Sequence, residues 1–206
     1  MSNAPDILDR FVVFEGLDGA GTSTQLEMLR DALQQRGTPC FATCEPTDGA
    51  IGKLIRAVLR GELEVSGCTL ALLFAADRSE HLYGSDGVLA ALRTGGSVAC
   101  DRYLFSSLVY QSTDCSGEYV AAVNARFPLP RWLIFIDTPP EECQRRVAAR
   151  GARELFDRLP LQRRLRERYR EVIAGYAALG VKVVTVNGTG PREAVFDRIW
   201  SHLRRF

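Results

Sequence analysis

The sequence predicts an α/β protein with a five-stranded parallel sheet and helices on both of its faces. Five short runs of apolar and β-branched residues have the composition of strands buried on both sides. Helical segments separate these runs, which is typical of parallel sheets because each crossover between parallel strands requires a long connection. No repeat or change of composition marks a second domain, so we expect one domain over residues 1–206.

The strands are predicted from short apolar runs that end at glycine or at charged residues. The runs "RFVVFEG" and "RWLIFID" are the clearest examples. The predicted strands cover 10–16, 39–45, 95–102, 131–137 and 181–188. Ligands of such sheets bind at the edge where the carboxyl ends of the strands meet, so functional residues are expected there.

The helices are predicted from their apolar spacing and from their end signals. In the first of them, Leu26, Leu29 and Leu33 recur with helical period and Gly37 ends the pattern. Another begins with proline in its first turn, and a long amphipathic helix ends at glycine. The predicted helices cover 24–37, 49–61, 69–82, 104–111, 139–150, 162–180 and 191–206.

Composition excludes several classes of protein. The formal net charge of +1 favours neither a nucleic-acid nor a membrane partner. The first ten residues lack the apolar run of a signal peptide, and the longest apolar stretch is too short to cross a bilayer. Six cysteines without a C-x-x-C pair, and only two histidines, argue against a zinc site. We expect a cytoplasmic protein whose cysteines are reduced thiols.

The segment "GLDGAGTS", residues 16–23, lies between the first predicted strand and the first helix. It matches the phosphate-binding pattern G-x-x-x-x-G-K-[ST] at Gly16, Gly21 and Ser23. Glycines let backbone N–H groups turn toward phosphate oxygens, and the N-terminus of the following helix adds partial positive charge. A serine at the last position offers its hydroxyl to Mg²⁺. The alternative is a glycine-rich turn that binds nothing.

Thr22 occupies the position at which this pattern has lysine. Loss of one preorganised donor or charge at a transition state costs roughly 100- to 1000-fold in rate. An arginine from elsewhere can supply comparable help, since arginine fingers contribute about 1000-fold or more. Nearly all the basic residues of this chain are arginines, because lysine occurs only at Lys53 and Lys182.

Five stretches in order resemble the thymidylate kinase family from about Phe11 to the last helix. They are "EGLDGAGTSTQ", "EPTDGAIGKLIR", "LLFAADRSEH", "CDRYLFSSLVYQ" and "LIFIDTPPEECQRRVAARG". The combination of the D-R-Y and L-F-A-A-D-R segments is specific to the family, whereas either alone is a weak signal. The resemblance implies a P-loop kinase of the nucleoside monophosphate kinase type. Such an enzyme phosphorylates dTMP to dTDP with ATP and Mg²⁺, and needs no covalent intermediate.

The resemblance also implies the site residues. The ATP-binding residues would be Gly16, Leu17, Asp18, Gly19, Ala20, Gly21, Thr22, Ser23 and Thr24. The dTMP-binding residues would be Asp18, Glu45, Pro46, Arg56, Phe74, Arg78, Arg102, Ser106, Ser107 and Gln111. The catalytic residues would be Asp101, Arg102, Arg150 and Arg153, and the metal ligands Ser23 and Asp101.

Within this set, individual roles follow from the resemblance. Phe74 would stack on thymine and Arg78 would donate to a thymine carbonyl; the two are four residues apart and share one helical face. Asp18 would accept a hydrogen bond from the 3′-hydroxyl of the deoxyribose. Arg102 would hold the acceptor phosphate and the transferred group. The alternatives are a core aromatic for Phe74 and a structural ion pair for the neighbouring Asp101 and Arg102.

One further residue departs from the family pattern, and one segment could compensate for the missing lysine. Cys44 stands where arginine is usual, so a second positive group is missing. The segment "QRRVAARGARELFD", residues 144–157, falls where the family has its lid. Lids of this kind close over ATP and exclude water. In the bacterial branch of the family the lid carries the catalytic arginine, so Arg150 or Arg153 is expected to replace the lysine.

Two other functions remain open from the sequence. The two lost cations would suit a nucleotide-binding relic or regulator with little catalysis. The altered residues near the acceptor phosphate would also suit a kinase for another deoxynucleotide. The family usually forms homodimers, and the segment "TLALLFAAD" is more apolar than one core-facing stripe requires, so we expect a homodimer.

Overall fold

The structure is a computed structural model that describes residues 5–149, 158–204 and 206. Its sheet has five strands in the order β2-β3-β1-β4-β5, and every neighbouring pair is parallel. The strands are β1 (Ile7–Gly16), β2 (Cys40–Cys44), β3 (Ser97–Asp101), β4 (Leu129–Asp137) and β5 (Lys182–Asn187). The predicted fold class is therefore confirmed.

Both faces of the sheet are covered. The four successive residues Phe11–Phe14 of the central strand β1 are fully buried. Because successive side chains of a strand point to opposite faces, complete burial of all four requires a layer of helices on each side. The buried positions on β1, β3 and β4 form the main hydrophobic core.

Nine helices lie in the described ranges, together with short 3₁₀ turns at Gln111–Thr113 and Tyr176–Leu179. The helices are α1 (Thr22–Gln35), α2 (Ala50–Leu59), α3 (Gly67–Tyr83), α4 (Val88–Arg93), α5 (Leu104–Tyr110), α6 (Gly117–Asn124), α7 (Pro140–Ala149), α8 (Leu159–Ala174) and α9 (Arg192–Leu203). The sequence did not predict the short helices α4 and α6. None of the helices in the described ranges has the length and apolar character needed to cross a membrane.

The expectation that all six cysteines are reduced is wrong. Cys68 near the start of α3 and Cys115 before α6 form a disulfide, with their Cα atoms 5.0 Å apart. These cysteines are 47 residues apart in sequence, and only the packing of α3 beside the segment after α5 brings them together. The other four are free thiols. Burial raises the pKa of Cys40 to about 11 and that of Cys143 to about 12, so both stay protonated at neutral pH.

Candidate active site

A cavity of about 270 Å³ lies at the carboxyl edge of the sheet, where β1, β2 and β3 end beside one another. It is lined by most of the residues that the sequence predicted for the acceptor and for catalysis. These lining residues are Asp18, Glu45, Pro46, Arg56, Phe74, Arg78, Asp101, Arg102, Ser106 and Gln111. Ser107 is fully buried and does not line the cavity, and Arg150 and Arg153 lie outside the described residues.

The predicted phosphate loop connects β1 to α1. Gly19 and Gly21 have φ angles of +86° and +102°, in the left-handed region that favours glycine. A Cβ atom on Gly19 would lie 2.5 Å from the carbonyl oxygen of Cys143, so the loop packs against α7 too closely for any side chain there. Helix α1 begins at Thr22, which places the partial positive charge of its N-terminus at the loop.

No charge replaces the lysine at position 22 itself. Thr22 is buried, and its γ-methyl group lies 3.4 Å from where a Cβ atom on Gly16 would be, at the base of the loop. The nearest described cation on α7 is Arg146. Its guanidinium donates to the carbonyl oxygens of Ala20 (3.2 Å) and Gly188 (3.1 Å) and to the Glu142 carboxylate (2.9 Å). Arg146 thus ties the loop to the segment after β5.

A second cavity, of about 290 Å³, lies on the α1 side of the phosphate loop. Ala20, Gly21 and Thr24 of the predicted ATP site line it, together with Arg146 and Gly188. The two cavities therefore lie on either side of the phosphate loop. A chain of phosphates bound along the loop would connect a ligand in one cavity to a ligand in the other. Arg146 is one of the arginines of the predicted lid segment, although the predicted catalytic residues did not include it.

Ser23 and Asp101 meet as the metal-site prediction requires. The Ser23 hydroxyl donates to Oδ2 of Asp101, whereas Oδ1 of Asp101 is buried without a hydrogen-bond partner among the described residues. An orphaned carboxylate oxygen beside a serine hydroxyl fits a hard cation such as Mg²⁺. The described residues contain no cluster of three or more acidic, histidine or cysteine side chains that could hold a metal. Mg²⁺ would then take its remaining ligands from phosphates and water.

Arg102 holds a backbone conformation that is uncommon outside glycine. Its φ angle is +71°, and its N–H donates to the carbonyl oxygen of Phe14 in the neighbouring strand. Its guanidinium contacts the Asp18 carboxylate at 2.7 Å and the hydroxyl oxygens of Ser106 and Tyr169 at 3.1 Å each. The turn at Arg102 therefore directs the side chain back over the loop, where a non-glycine residue with φ above zero often marks a functional site.

Arg78 is fully buried and belongs to a network of polar side chains. It donates to Glu45 (2.7 Å), to Ser107 (3.1 Å) and to Asn124. The other Glu45 oxygen contacts Nδ1 of His81 at 2.9 Å. A buried charge is tolerated when it is paired and hydrogen bonded, so Glu45 stabilises Arg78. The Nε of Arg78 has no partner among the described residues, which leaves one donor available.

Arg56 and Phe74 complete the acceptor cavity. Arg56 donates to the carbonyl oxygens of Pro46 (2.6 Å) and Thr47, and its guanidinium lies 3.9 Å from the Cys44 sulfur. Phe74 is half-buried and packs against the small core cluster around Ile55. Phe74 therefore lines the cavity and also packs on the core, so its position is compatible with both the predicted stacking role and the core-aromatic alternative.

Sequence reasoning missed two buried partners of Arg102. Tyr169 on α8 contacts it directly, and Glu15, the residue before Gly16, binds the hydroxyls of Tyr169 and Ser106. A signal for Glu15 was present in the sequence, since a carboxylate interrupts an otherwise apolar buried strand. Tyr169 carried no such signal, because an aromatic residue on an amphipathic helix is ordinarily part of the core.

The thymidylate kinase family model matches residues 14–199 of the chain. The chain belongs to the thymidylate kinase family. It is 44% identical over 204 residues to a Treponema pallidum (strain Nichols) protein provisionally named a thymidylate kinase, with 98% of each chain covered. A similarly named protein of Pyrococcus abyssi (strain GE5 / Orsay) is 42% identical over 92% of this chain and 93% of its own.

The fold is shared with a solved thymidylate kinase from Candida albicans. The TM-score is 0.77 at 22% sequence identity, over 95% of this chain and 91% of that chain. The family model and the two relatives confirm the family assignment predicted from the motifs, and with it the class of the protein, a nucleotide-binding kinase; the solved structure confirms the fold.

Proposed function

We propose that this chain transfers the γ-phosphoryl group of ATP to dTMP and forms dTDP and ADP. The observation that carries the proposal is the single cavity in which Asp101, Arg102, Phe74 and Arg78 converge beside the phosphate loop. The names of the relatives at 42% and 44% identity support dTMP as the acceptor. The cavity also joins a flat apolar ring to paired cations, which suits a nucleobase that carries a phosphate.

Phosphoryl transfer by this site needs position and positive charge rather than a protein nucleophile. The dTMP phosphate is ionised at neutral pH and attacks the γ-phosphorus in line. Arg102, held by Asp18 at 2.7 Å, supplies a rigid fork of donors for the acceptor phosphate and the transferred group. Mg²⁺, held by Ser23 and Asp101, would supply positive charge to the phosphate oxygens of ATP.

Recognition of the base would use α3 and the start of the 3₁₀ turn. Phe74 offers its ring for stacking, and the unpartnered Nε–H of Arg78 offers one hydrogen bond to a thymine carbonyl. Gln111 can donate and accept, which suits the imide edge of thymine. Asp18, which lies between Arg102 and the hydroxyl of Tyr110 (3.4 Å), would accept from the 3′-hydroxyl.

The positive charge missing at Thr22 would come from the lid predicted at residues 144–157. In the sequence, Arg150 and Arg153 stand one and four residues after Ala149, the described end of α7. Arg146, on the same helix, already lies at the phosphate loop, which supports an approach of the following residues to the phosphates. The expected outcome is that loss of Arg150 or Arg153 lowers the rate far more than loss of Thr22.

The test is steady-state ADP production with ATP, Mg²⁺ and one of dTMP, dUMP, dCMP or AMP as acceptor. We expect turnover with dTMP at an ordinary kinase rate, about 1 per second or more. A preference for another acceptor would instead indicate a related deoxynucleotide kinase. Measurable dTMP binding by calorimetry without turnover of any acceptor would indicate a nucleotide-binding relic that has lost catalysis.

A Phe74→Leu variant tests the recognition of the base, because it keeps an apolar side chain but removes stacking. It should raise the KM for dTMP more than that for ATP.

We further propose that the enzyme is a cytoplasmic homodimer with no nucleic-acid or membrane partner. Leu72 lies in the apolar segment on α3 that suggested a dimer and is 46% exposed, and Leu54 on the neighbouring α2 is 41% exposed. Sedimentation equilibrium should give twice the chain mass, and Leu72→Glu should shift it toward the monomer. A wild-type protein that sediments as a monomer would contradict the dimer, and fractionation of the source cells would test the location.

A further inference from the structure

Glu15 is a buried carboxylate in the central strand, one residue before the phosphate loop. Its side chain is fully buried and accepts four hydrogen bonds. The backbone N–H groups of Tyr103 (2.9 Å) and Ser106 (3.2 Å) donate to Oε1. The hydroxyls of Ser106 (2.6 Å) and Tyr169 (3.0 Å) donate to Oε2. Both oxygens therefore face donors only.

The two hydroxyls connect Glu15 to Arg102. Nη1 of Arg102 lies 3.1 Å from the Ser106 oxygen and 3.1 Å from the Tyr169 oxygen. Each hydroxyl has one proton, and when both protons point to Glu15 both oxygens present lone pairs to the guanidinium. An arginine has no acceptor, so this is the arrangement in which both hydroxyls accept from Arg102 and donate to Glu15, and the two hydroxyl oxygens, 2.9 Å apart, then share no proton.

We propose that Glu15 is a positioning residue for phosphoryl transfer, and that it orients Ser106 and Tyr169 so that these hold Arg102 at the acceptor phosphate. The inference rests on the role of Arg102 in the proposed function. Asp18 holds one end of the guanidinium directly, and Glu15 holds the other end through two hydroxyls. Three acceptors, one at Nη2 and two at Nη1, fix the plane of the guanidinium, and bidentate binding of phosphate by a planar fork requires a fixed plane.

The direction of the protons explains why a carboxylate is needed. A neutral side chain at position 15 that pointed an N–H or O–H donor at Ser106 and Tyr169 would force one of these hydroxyls to accept from it. That hydroxyl would then point its own proton at Arg102, which is itself only a donor. The contact between Arg102 and this hydroxyl would become repulsive. Glu15 therefore acts through hydrogen-bond polarity, and its size or hydrophobicity alone cannot replace it.

The variant Glu15→Gln keeps the shape of the side chain and introduces an amide donor. We expect kcat with dTMP to fall by about tenfold or more, which is less than direct loss of a catalytic donor, because Arg102 remains present but misoriented. The KM for ATP should stay within about threefold, since the phosphate loop keeps its contacts. A residue that only stabilises the fold would lower the melting temperature and leave both kinetic constants unchanged, and that result would overturn the proposal.

A double-mutant cycle with Arg102→Ala decides whether Glu15 acts through Arg102. We expect Glu15→Gln to have no further effect on kcat in the Arg102→Ala background. Losses that multiply would mean an independent role and would contradict the proposal. Should Glu15→Gln not fold, Tyr169→Phe removes one of the two links and takes its place in the same cycle, with the same two outcomes.

A readout without turnover separates this inference from the proposed function. In ¹⁵N-arginine-labelled protein, Arg102→Ala identifies the guanidinium signal of Arg102. We expect this signal to be sharp in the wild type and broadened or shifted in Glu15→Gln, whether or not dTMP is phosphorylated. An unchanged signal would overturn the positioning role, whereas absence of turnover in the wild type would overturn only the proposed function.

Discussion

The acceptor cavity and the phosphate loop differ in where their positive charge comes from. On the acceptor side, Arg78 and Arg102 are each held by a carboxylate at 2.7 Å. On the loop, position 22 carries an uncharged threonine, and the loop offers backbone N–H groups and the start of α1. Arg146 touches the loop, but its donors go to carbonyl oxygens and to Glu142.

This difference indicates that the two halves are completed in different ways. The acceptor side is assembled in the folded chain, because Arg78 and Arg102 are held by carboxylates, and the disulfide joins α3 to the segment that follows Gln111. On the donor side, the described cations that line the second cavity are Arg146 and Arg192, and both are hydrogen bonded to protein oxygens, Arg192 to Glu193 at 2.8 Å. Under the proposed function, additional charge at the transferred phosphoryl group would come from Arg102 and from the predicted lid arginines.

The largest expected effect concerns the buried pair on the acceptor side. Glu45→Gln leaves Arg78 without its carboxylate in a fully buried position, and loss of one partner of a buried pair costs about 3–5 kcal/mol. We expect a corresponding fall in the free energy of unfolding, measured by urea denaturation. Glu62→Gln, which removes the exposed partner of Arg60, is the matched control and should change little. Equal effects of the two variants would contradict this account.

The next effect concerns the cation shared by both halves. Arg102→Ala should lower kcat by about 100- to 1000-fold, because it removes a preorganised donor from the transition state. Arg102→Lys should restore little of this loss, since an ammonium group cannot replace a planar fork held by Asp18, Ser106 and Tyr169. Steady-state kinetics with dTMP would measure both variants. Near-complete activity of the lysine variant would mean that charge alone suffices.

The lid arginines test whether the loop depends on charge from outside it. We expect Arg150→Ala or Arg153→Ala to lower kcat about 100-fold and Thr22→Ala to lower it less than about threefold. In either arginine variant, Thr22→Lys should recover part of the rate, because it returns a cation to the usual position. Equal small losses of kcat in all three alanine variants would contradict the hypothesis that a lid arginine replaces the charge of the missing lysine.

The smallest expected effect is the pH dependence of the free energy of unfolding that comes from Glu15, the buried carboxyl group before the phosphate loop. Burial raises the pKa of Glu15 to about 7, against the lowering effects of Arg102 and of the hydrogen bonds from Ser106, Tyr103 and Tyr169, so the ionised form that holds the two hydroxyls toward Arg102 predominates only above about pH 7. In the unfolded chain the pKa is near 4.5, so between these values the folded state binds more protons. The contribution of this group to stability is therefore full at low pH and is lost as pH rises through about 7.

This contribution amounts to about 2 kcal/mol between about pH 5 and pH 7. The free energy of unfolding of the wild type should fall by that amount relative to Glu15→Gln over the same range, measured by urea denaturation at each pH. Other titratable groups near Glu15 are Tyr169, Tyr110 and Cys100, whose pKa values are also raised by burial and which stay protonated there. Parallel pH profiles of wild type and variant would contradict the titration of Glu15 in this range.

The sequence predicted the features that depend on local pattern. The strands could be identified because burial on both faces requires continuous apolar runs, and the loop because glycines at fixed spacing follow the first strand. Asp101 and Arg102 could be assigned to the same edge as the loop because parallel strands end on one side. The sheet then placed Asp101 opposite Phe14, two residues before the loop begins.

The tertiary structure alone decided which distant side chains meet. Glu15 and Tyr169 are 154 residues apart, and Arg78 and Asn124 are 46 apart, yet each pair is hydrogen bonded in the core. No spacing rule connects such residues, because their contact depends on how α3, α6 and α8 pack on the sheet. The disulfide between Cys68 and Cys115 has the same origin, and for this reason the sequence predicted thiols. Local chemistry therefore determined the fold and the location of the site, whereas long-range packing determined how its cations are held.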